Sequence, residues 1–154
     1  MPALTSVADL AALLASRVPI VVLETRDEAR AMAMIVAATR QAGVAIPVFE
    51  WTITEGLGRA DVDLGAGQQF NSAPLDVLRT IRTTDLPGVY VLVDFHPFLD
   101  EPVNVRLLKD IGQSYERVPR TVVLLSHAIE VPAELEHLVA RAELAVPGRE
   151  ERAV

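Results

Sequence analysis

The sequence predicts a three-layer, doubly wound α/β domain on a mainly parallel, five-stranded sheet. Three observations predict it. Short, continuous apolar runs recur at Ile20–Leu23, Gly88–Asp94 and Thr121–Ser126, as in strands covered on both faces. Segments with helical spacing of apolar residues separate them, and parallel strands need such crossovers. Hydrophobic residues make up 51% of the 154 residues, enough for one core and too many for general disorder. A single domain over residues 1–154 follows.

Ser6-Val7-Ala8-Asp9 is a capping-box variant, and Leu10, Leu13, Leu14 and Val18 recur at helical spacing until Pro19 stops the helix. The strand Ile20–Leu23 comes next. Thr25 with Glu28 three residues on is a full capping box, opening a helix to about Gln41 with Met32, Ile35, Val36 and Thr39 inward and Gly43 closing it. A second strand lies within Val44–Trp51, and Pro47 inside it predicts a sheet edge, because proline cannot donate to the ladder. Residues 52–73 show no period and hold Gly56, Gly58, Gly65 and Gly67, which predicts a long flexible or functional loop. A short helix follows from Pro74 through Ile81, then the strand Gly88–Asp94. Asp100-Glu101-Pro102 opens a helix with Leu107, Leu108, Ile111 and Tyr115 inward. The strand Thr121–Ser126, a helix from Pro132 carrying Leu135, Leu138 and Val139, and a short fifth strand over Glu143–Val146 complete the fold.

Composition removes several classes of function. The formal charge is −7, too acidic for a general nucleic-acid binder. There is no cysteine, so disulfides, thiolate chemistry and Cys-ligated zinc are excluded. Lys109 is the single lysine among the 14 basic residues, so a lysine-dependent mechanism has one candidate. No signal peptide or membrane-length apolar run is visible, which predicts a cytoplasmic protein, or a stromal one in a plastid-like setting.

Ligands of open parallel sheets bind beyond the carboxyl ends of the strands. After the first strand a nucleotide site needs G-x-x-x-x-G-K-[ST], but Glu24-Thr25-Arg26-Asp27-Glu28-Ala29-Arg30 stands there, without glycine or lysine. Asp27 and Glu28 occupy the first helical turn, where carboxylates already meet the positive end of the helix. Gly56-Leu57-Gly58 begins like a dinucleotide fingerprint but lacks its third glycine and follows the wrong strand. Asp94 closes an apolar run as a Walker-B aspartate does, yet Phe95 follows it in place of a second acid. His96 and His127 follow strand ends and could approach each other, but His96, His127 and His137 lack a metal-ligand spacing, so no metal site is expected. No G-x-S-x-G elbow or complete nucleophile–base pair is visible, so no catalytic residue is expected. Glu24, Asp94 and Ser126 imitate three of the four positions of a phosphoacceptor receiver domain, but its lysine is missing at Pro147-Gly148-Arg149.

The string Val91-Leu92-Val93-Asp94-Phe95-His96-Pro97-Phe98-Leu99 is distinctive. Its company is Pro19–Glu24, Phe49-Glu50-Trp51-Thr52-Ile53-Thr54-Glu55-Gly56-Leu57, and Val123–Ser126 before Val131-Pro132-Ala133-Glu134-Leu135. Together they resemble the N-terminal domain of the AAA ATPases of the plastid and cyanobacterial open-reading-frame type, also found in other bacteria. The resemblance covers about Leu13 to Arg152. It implies a degenerate, P-loop-NTPase-like α/β domain ahead of an active AAA module, with Asp94 and Phe95 at the Walker-B position and Ser126 at the sensor position. Pro147-Gly148-Arg149-Glu150 resembles the family's P-D-R-E stretch, with Gly148 in place of Asp. ATP and magnesium are implied only for the downstream module, with no cofactor in this chain.

The resulting expectation is a non-catalytic domain that docks on its ATPase module, on neighbouring subunits or on a client, without nucleic acid or membrane. Trp51, Glu55, His96, Pro97, Phe98 and Arg149 are family-motif residues and candidate docking positions. The aromatics among them have two readings, buried core or exposed anchors. The alternative function is a nucleotide- or anion-responsive module using Arg26, Arg30 and the 52–73 loop.

Overall fold

The computed structural model describes residues 1–41, 46–62 and 71–145. In chain order its elements are β1 (Ala3–Leu4), α1 (Val7–Ala15), β2 (Ile20–Glu24), α2 (Glu28–Gln41), β3 (Val48–Thr52), β4 (Gly56–Arg59), α3 (Pro74–Thr83), β5 (Gly88–Val93), α4 (Pro102–Gln113), β6 (Arg120–Ser126) and β7 (Val139–Leu144). Two 3₁₀ turns, His96–Phe98 and Ala133–Leu138, lie after β5 and before β7.

One sheet runs β1-β7-β2-β6-β5-β3-β4. Every neighbouring pair is parallel except β3 and β4. The five strands foreseen from the sequence correspond to β2, β3, β5, β6 and β7, and number 5-1-4-3-2 across the sheet. Receiver domains share the flavodoxin-like order 2-1-3-4-5, in which the first strand lies between the second and third. Here β2 lies between β6 and β7, so the receiver topology is excluded.

The strands are apolar on both faces because helices cover both. On one side Val21, Leu23, Val91 and Val123 meet Leu10, Ala31, Ile35 and Ala38 of α1 and α2. On the other, Ile20, Val22, Leu92 and Leu124 meet Val77, Leu78, Leu108 and Ile111 of α3 and α4. Burial on both sides explains why β2, β5 and β6 read as unbroken apolar runs.

Helix starts follow local hydrogen bonding. Ser6 Oγ accepts from Asp9 N at 3.1 Å, and the Asp9 carboxylate accepts from the Thr5 amide and hydroxyl at 3.2 and 3.1 Å. For α2 the expected Thr25 cap is replaced by Asp27, whose Oδ1 accepts from Arg30 N at 3.1 Å. Thr25 Oγ1 instead accepts from Asp27 N at 3.1 Å, so the Thr25 box sets the turn and the helix begins later.

Several expectations are corrected. There are seven strands among the described residues, against five expected. The first part of the presumed 52–73 loop is a hairpin: β4 pairs with β3 from Phe49–Arg59 to Thr52–Gly56. Gly56 has φ 73°, which a non-glycine residue adopts with difficulty, and Glu55 N donates to Thr52 Oγ1 at 3.0 Å across the turn. This hairpin makes β3 an interior strand, and Pro47 precedes it instead of marking an edge. The segment after Pro132 is a 3₁₀ turn, and Val139 opens β7 instead of closing a helix. Gly43, Gly65, Gly67, Val146 and the Pro147–Glu150 stretch, including Arg149, lie outside the described residues.

Candidate site at the carboxyl ends of the strands

Parallel pairing of β5 with β6 and of β6 with β2 brings Asp94, Ser126 and Glu24 to one edge of the sheet. Asp94 N donates to Leu125 O at 2.9 Å, and Thr25 N to Ser126 O at 2.8 Å. The ladder therefore continues one residue past each strand. Asp94 then turns with φ 55°, a left-handed conformation that aspartate tolerates better than most residues.

Ser126 is buried and links the two strand ends. Its Oγ lies 3.0 Å from Asp94 Oδ1 and 3.0 Å from His96 Nδ1. An ionised carboxylate only accepts, so the hydroxyl proton goes to Asp94 and the hydroxyl oxygen accepts from His96. This fixes His96 with its proton on Nδ1. His127 Nδ1 lies 3.5 Å from the same oxygen, at the outer limit of such a contact. The two rings meet edge to face, 5.5 Å apart. Both turn Nδ1 toward Ser126. Among the described residues no group of three or more His, Asp or Glu is placed to hold a metal ion. In this arrangement the imidazole donates to the serine, the reverse of the proton transfer by which an imidazole activates a serine.

The motif aromatics fall on the core side of this turn. Trp51 and Phe95 are 0% and 1% exposed, which decides for the core reading over exposed anchors. Phe98 is half-buried. Trp51, Phe95 and Phe98 form a mutual edge-to-face cluster with centroids 5.5–6.4 Å apart. The indole Nε1 donates to Asn71 O at 2.9 Å, and Asn104 Nδ2 donates to Phe98 O at 3.1 Å. His96, half-buried, opens the 3₁₀ turn, Pro97 is exposed within it, and Glu55 is exposed on the β3–β4 turn, apart from the Ser126 cluster.

The position after β2 is built differently. Glu24 Oε2 accepts from Ile129 N at 2.9 Å, and Asp27 caps α2. The Arg30 guanidinium donates to Ala145 O. Burial, and then the charge of Glu28, hold the half-buried Glu50 carboxyl above its usual range. A cleft of about 670 Å³ lies elsewhere, at the amino ends of β3 and β5 among Ile46, Pro47 and Leu86.

Sequence reasoning missed Arg120. It is 1% exposed, and its Nη1 donates to the carbonyls of Ile81, Arg82 and Thr84 while Nη2 reaches Ser114 Oγ. It holds the carboxyl end of α3, and burial lowers its pKa from the ordinary arginine value. An arginine heading an apolar run was the one available signal.

A 5-1-4-3-2 core with Asp94 closing the third of these strands, Ser126 closing the fourth and no glycine loop after the first defines a P-loop-NTPase-like α/β domain without a P-loop. A family model described as "SpoVK-like AAA ATPase, N-terminal domain" matches residues 6–144, and the chain belongs to that family. It is 26% identical over 139 residues to a protein named "Uncharacterized AAA domain-containing protein ycf46" from Pyropia yezoensis. Proteins of the same name from Trieres chinensis and Guillardia theta are 23% identical over 139 residues and 27% over 147 residues. These matches cover 90–94% of this chain and 28% of each relative, so the chain spans little more than a quarter of their length. No solved structure matches it significantly. Among the described residues no helix is long and apolar enough to cross a membrane.

Proposed function

We propose that this chain is a non-catalytic N-terminal domain of an AAA-family ATPase, acting by docking on the ATPase module or on neighbouring subunits. The observation that carries the reading is the position after β2. Two of its three acids are committed to backbone groups, with Glu24 on Ile129 N and Asp27 on Arg30 N. A nucleoside triphosphate does not fit there. The segment has no glycine to let a loop wrap a phosphate, and Asp27 and Glu28 oppose an anion at the start of α2. Arg30, one of the two cations an anion-responsive site would use, is tied to Ala145 O. That contact weighs against the anion-responsive alternative.

ATP and magnesium belong, on this reading, to a downstream module, and this chain takes part through its surface. The experiment is association in trans. The chain is titrated against the isolated ATPase module of a full-length family member, by biolayer interferometry, with and without ATP on that module. Saturable binding is expected. An absence of association in both nucleotide states, or ATP hydrolysis by this chain alone, would overturn the reading.

A further inference from the structure

The outer surface of α3 and α4 reverses the sign of the chain. The formal charge is −7, yet Arg79 and Arg82 of α3 and Arg106 of α4 border one groove of about 340 Å³. Among the described residues Asp110 is the one carboxylate in its lining, and two of the arginines share it: Arg106 at 3.0 Å and Arg82 at 3.5 Å. That shared contact cross-links the helices and holds two guanidiniums side by side. One carboxylate cannot satisfy the five N–H donors that each carries. Among the described residues Arg79 has no carboxylate within 4.0 Å.

The floor is apolar. Pro102, Val103 and Leu107 line it, and Val103 is 55% exposed, the most exposed large hydrophobic residue after Met1 among the described residues. Exposed apolar surface ringed by arginine differs from an ordinary solvated charged face. Arginine's planar fork suits carboxylates, and the valine offers contact to an aliphatic side chain. An inorganic anion would use the rim and leave the floor idle.

We propose that the α3–α4 groove is a docking site for an acidic segment of a protein partner, with carboxylates on Arg79, Arg82 and Arg106 and an aliphatic residue over Val103. This deepens the docking reading and rests on it, naming the surface and the chemistry of what it receives. Charge complementarity selects this occupant, because a basic or neutral segment would leave the arginine donors unmatched.

The test uses this chain with isotope-labelled arginine and valine and a short peptide probe of glutamate and aspartate around one leucine. Saturable shifts of the Arg79, Arg82 and Arg106 Nε–H signals together with the Val103 methyls are expected. Arg79→Gln with Arg106→Gln should weaken binding about tenfold, the loss of charge-assisted contacts. Both residues are exposed, and a thermal melt of the variant verifies folding. Three results would overturn the proposal: no shifts at millimolar peptide, undiminished binding by the folded variant, or equal shifts of the Val103 methyls with inorganic phosphate. Should the groove fail while association with the ATPase module persists, the site is wrong and the docking reading stands.

Discussion

Two turns at the same edge of the sheet have been built in opposite ways. After β2, where a P-loop protein cradles phosphate, side chains bond to the main chain: Glu24 to Ile129 N, Asp27 to Arg30 N, Arg30 to Ala145 O. After β5 and β6, side chains bond to one another, through Asp94, Ser126 and His96. The side chains of the first turn serve capping and main-chain contacts. The second keeps an aspartate and a serine on adjacent strand ends, now satisfied internally.

The largest expected effect lies behind the second turn. Phe95→Ala removes a buried ring between Trp51 and Phe98 and should cost about 3–5 kcal/mol, read from urea denaturation. A loss well under 1 kcal/mol would show that the aromatic cluster does not support the turn.

Ser126→Ala should cost less, about 1–2 kcal/mol. It removes one donor and one acceptor, but Asp94 is exposed and can turn to water. The His96 ring should also lose its fixed tautomer, visible in its nitrogen-15 chemical shifts. Unchanged shifts would contradict the donor order assigned here.

The first turn should respond through its helix. Asp27→Ala removes the α2 cap and should cost about 1 kcal/mol, with no change in the His96 signals. Coupling between the two turns would blur the division between them. Double-mutant cycles of Asp27→Ala with Ser126→Ala should therefore be additive.

The smallest effect concerns pH. Burial and Glu28 raise the folded-state pKa of Glu50 above its unfolded value. The protonated form is therefore favoured in the fold. Stability from this group is fully present below the usual carboxylate range and is lost as pH rises through the raised value. Glu50→Gln should raise Tm slightly at neutral pH, and the gain should vanish in acid. A gain that persists below the ordinary glutamate pKa would assign the effect to packing.

Much of this arrangement was legible in the sequence. β2, β5 and β6 are covered on both faces, so apolar side chains had to fill them without interruption. Gly56–Arg59 was illegible because a glycine-rich edge strand carries little side-chain pattern. β1, two residues long, carries none. Val139–Leu144 was masked by the preceding Leu135 and Leu138, which mimic helical spacing although a 3₁₀ turn holds them. The Asp94, Ser126 and His96 candidates stood in the sequence, but their contact depends on β5 lying beside β6, a pairing no local pattern specifies. Arg120 was hidden for the same reason: its partners are carbonyls at the end of a distant helix.

On the proposed reading, the edge which binds ATP in a P-loop protein is scaffold in this chain. Isothermal titration calorimetry of the folded chain with Mg-ATP and Mg-ADP tests it most directly. No saturable heat is expected for either nucleotide at millimolar concentration. Micromolar binding of either one, lost on Arg26→Ala or Arg30→Ala, would contradict it.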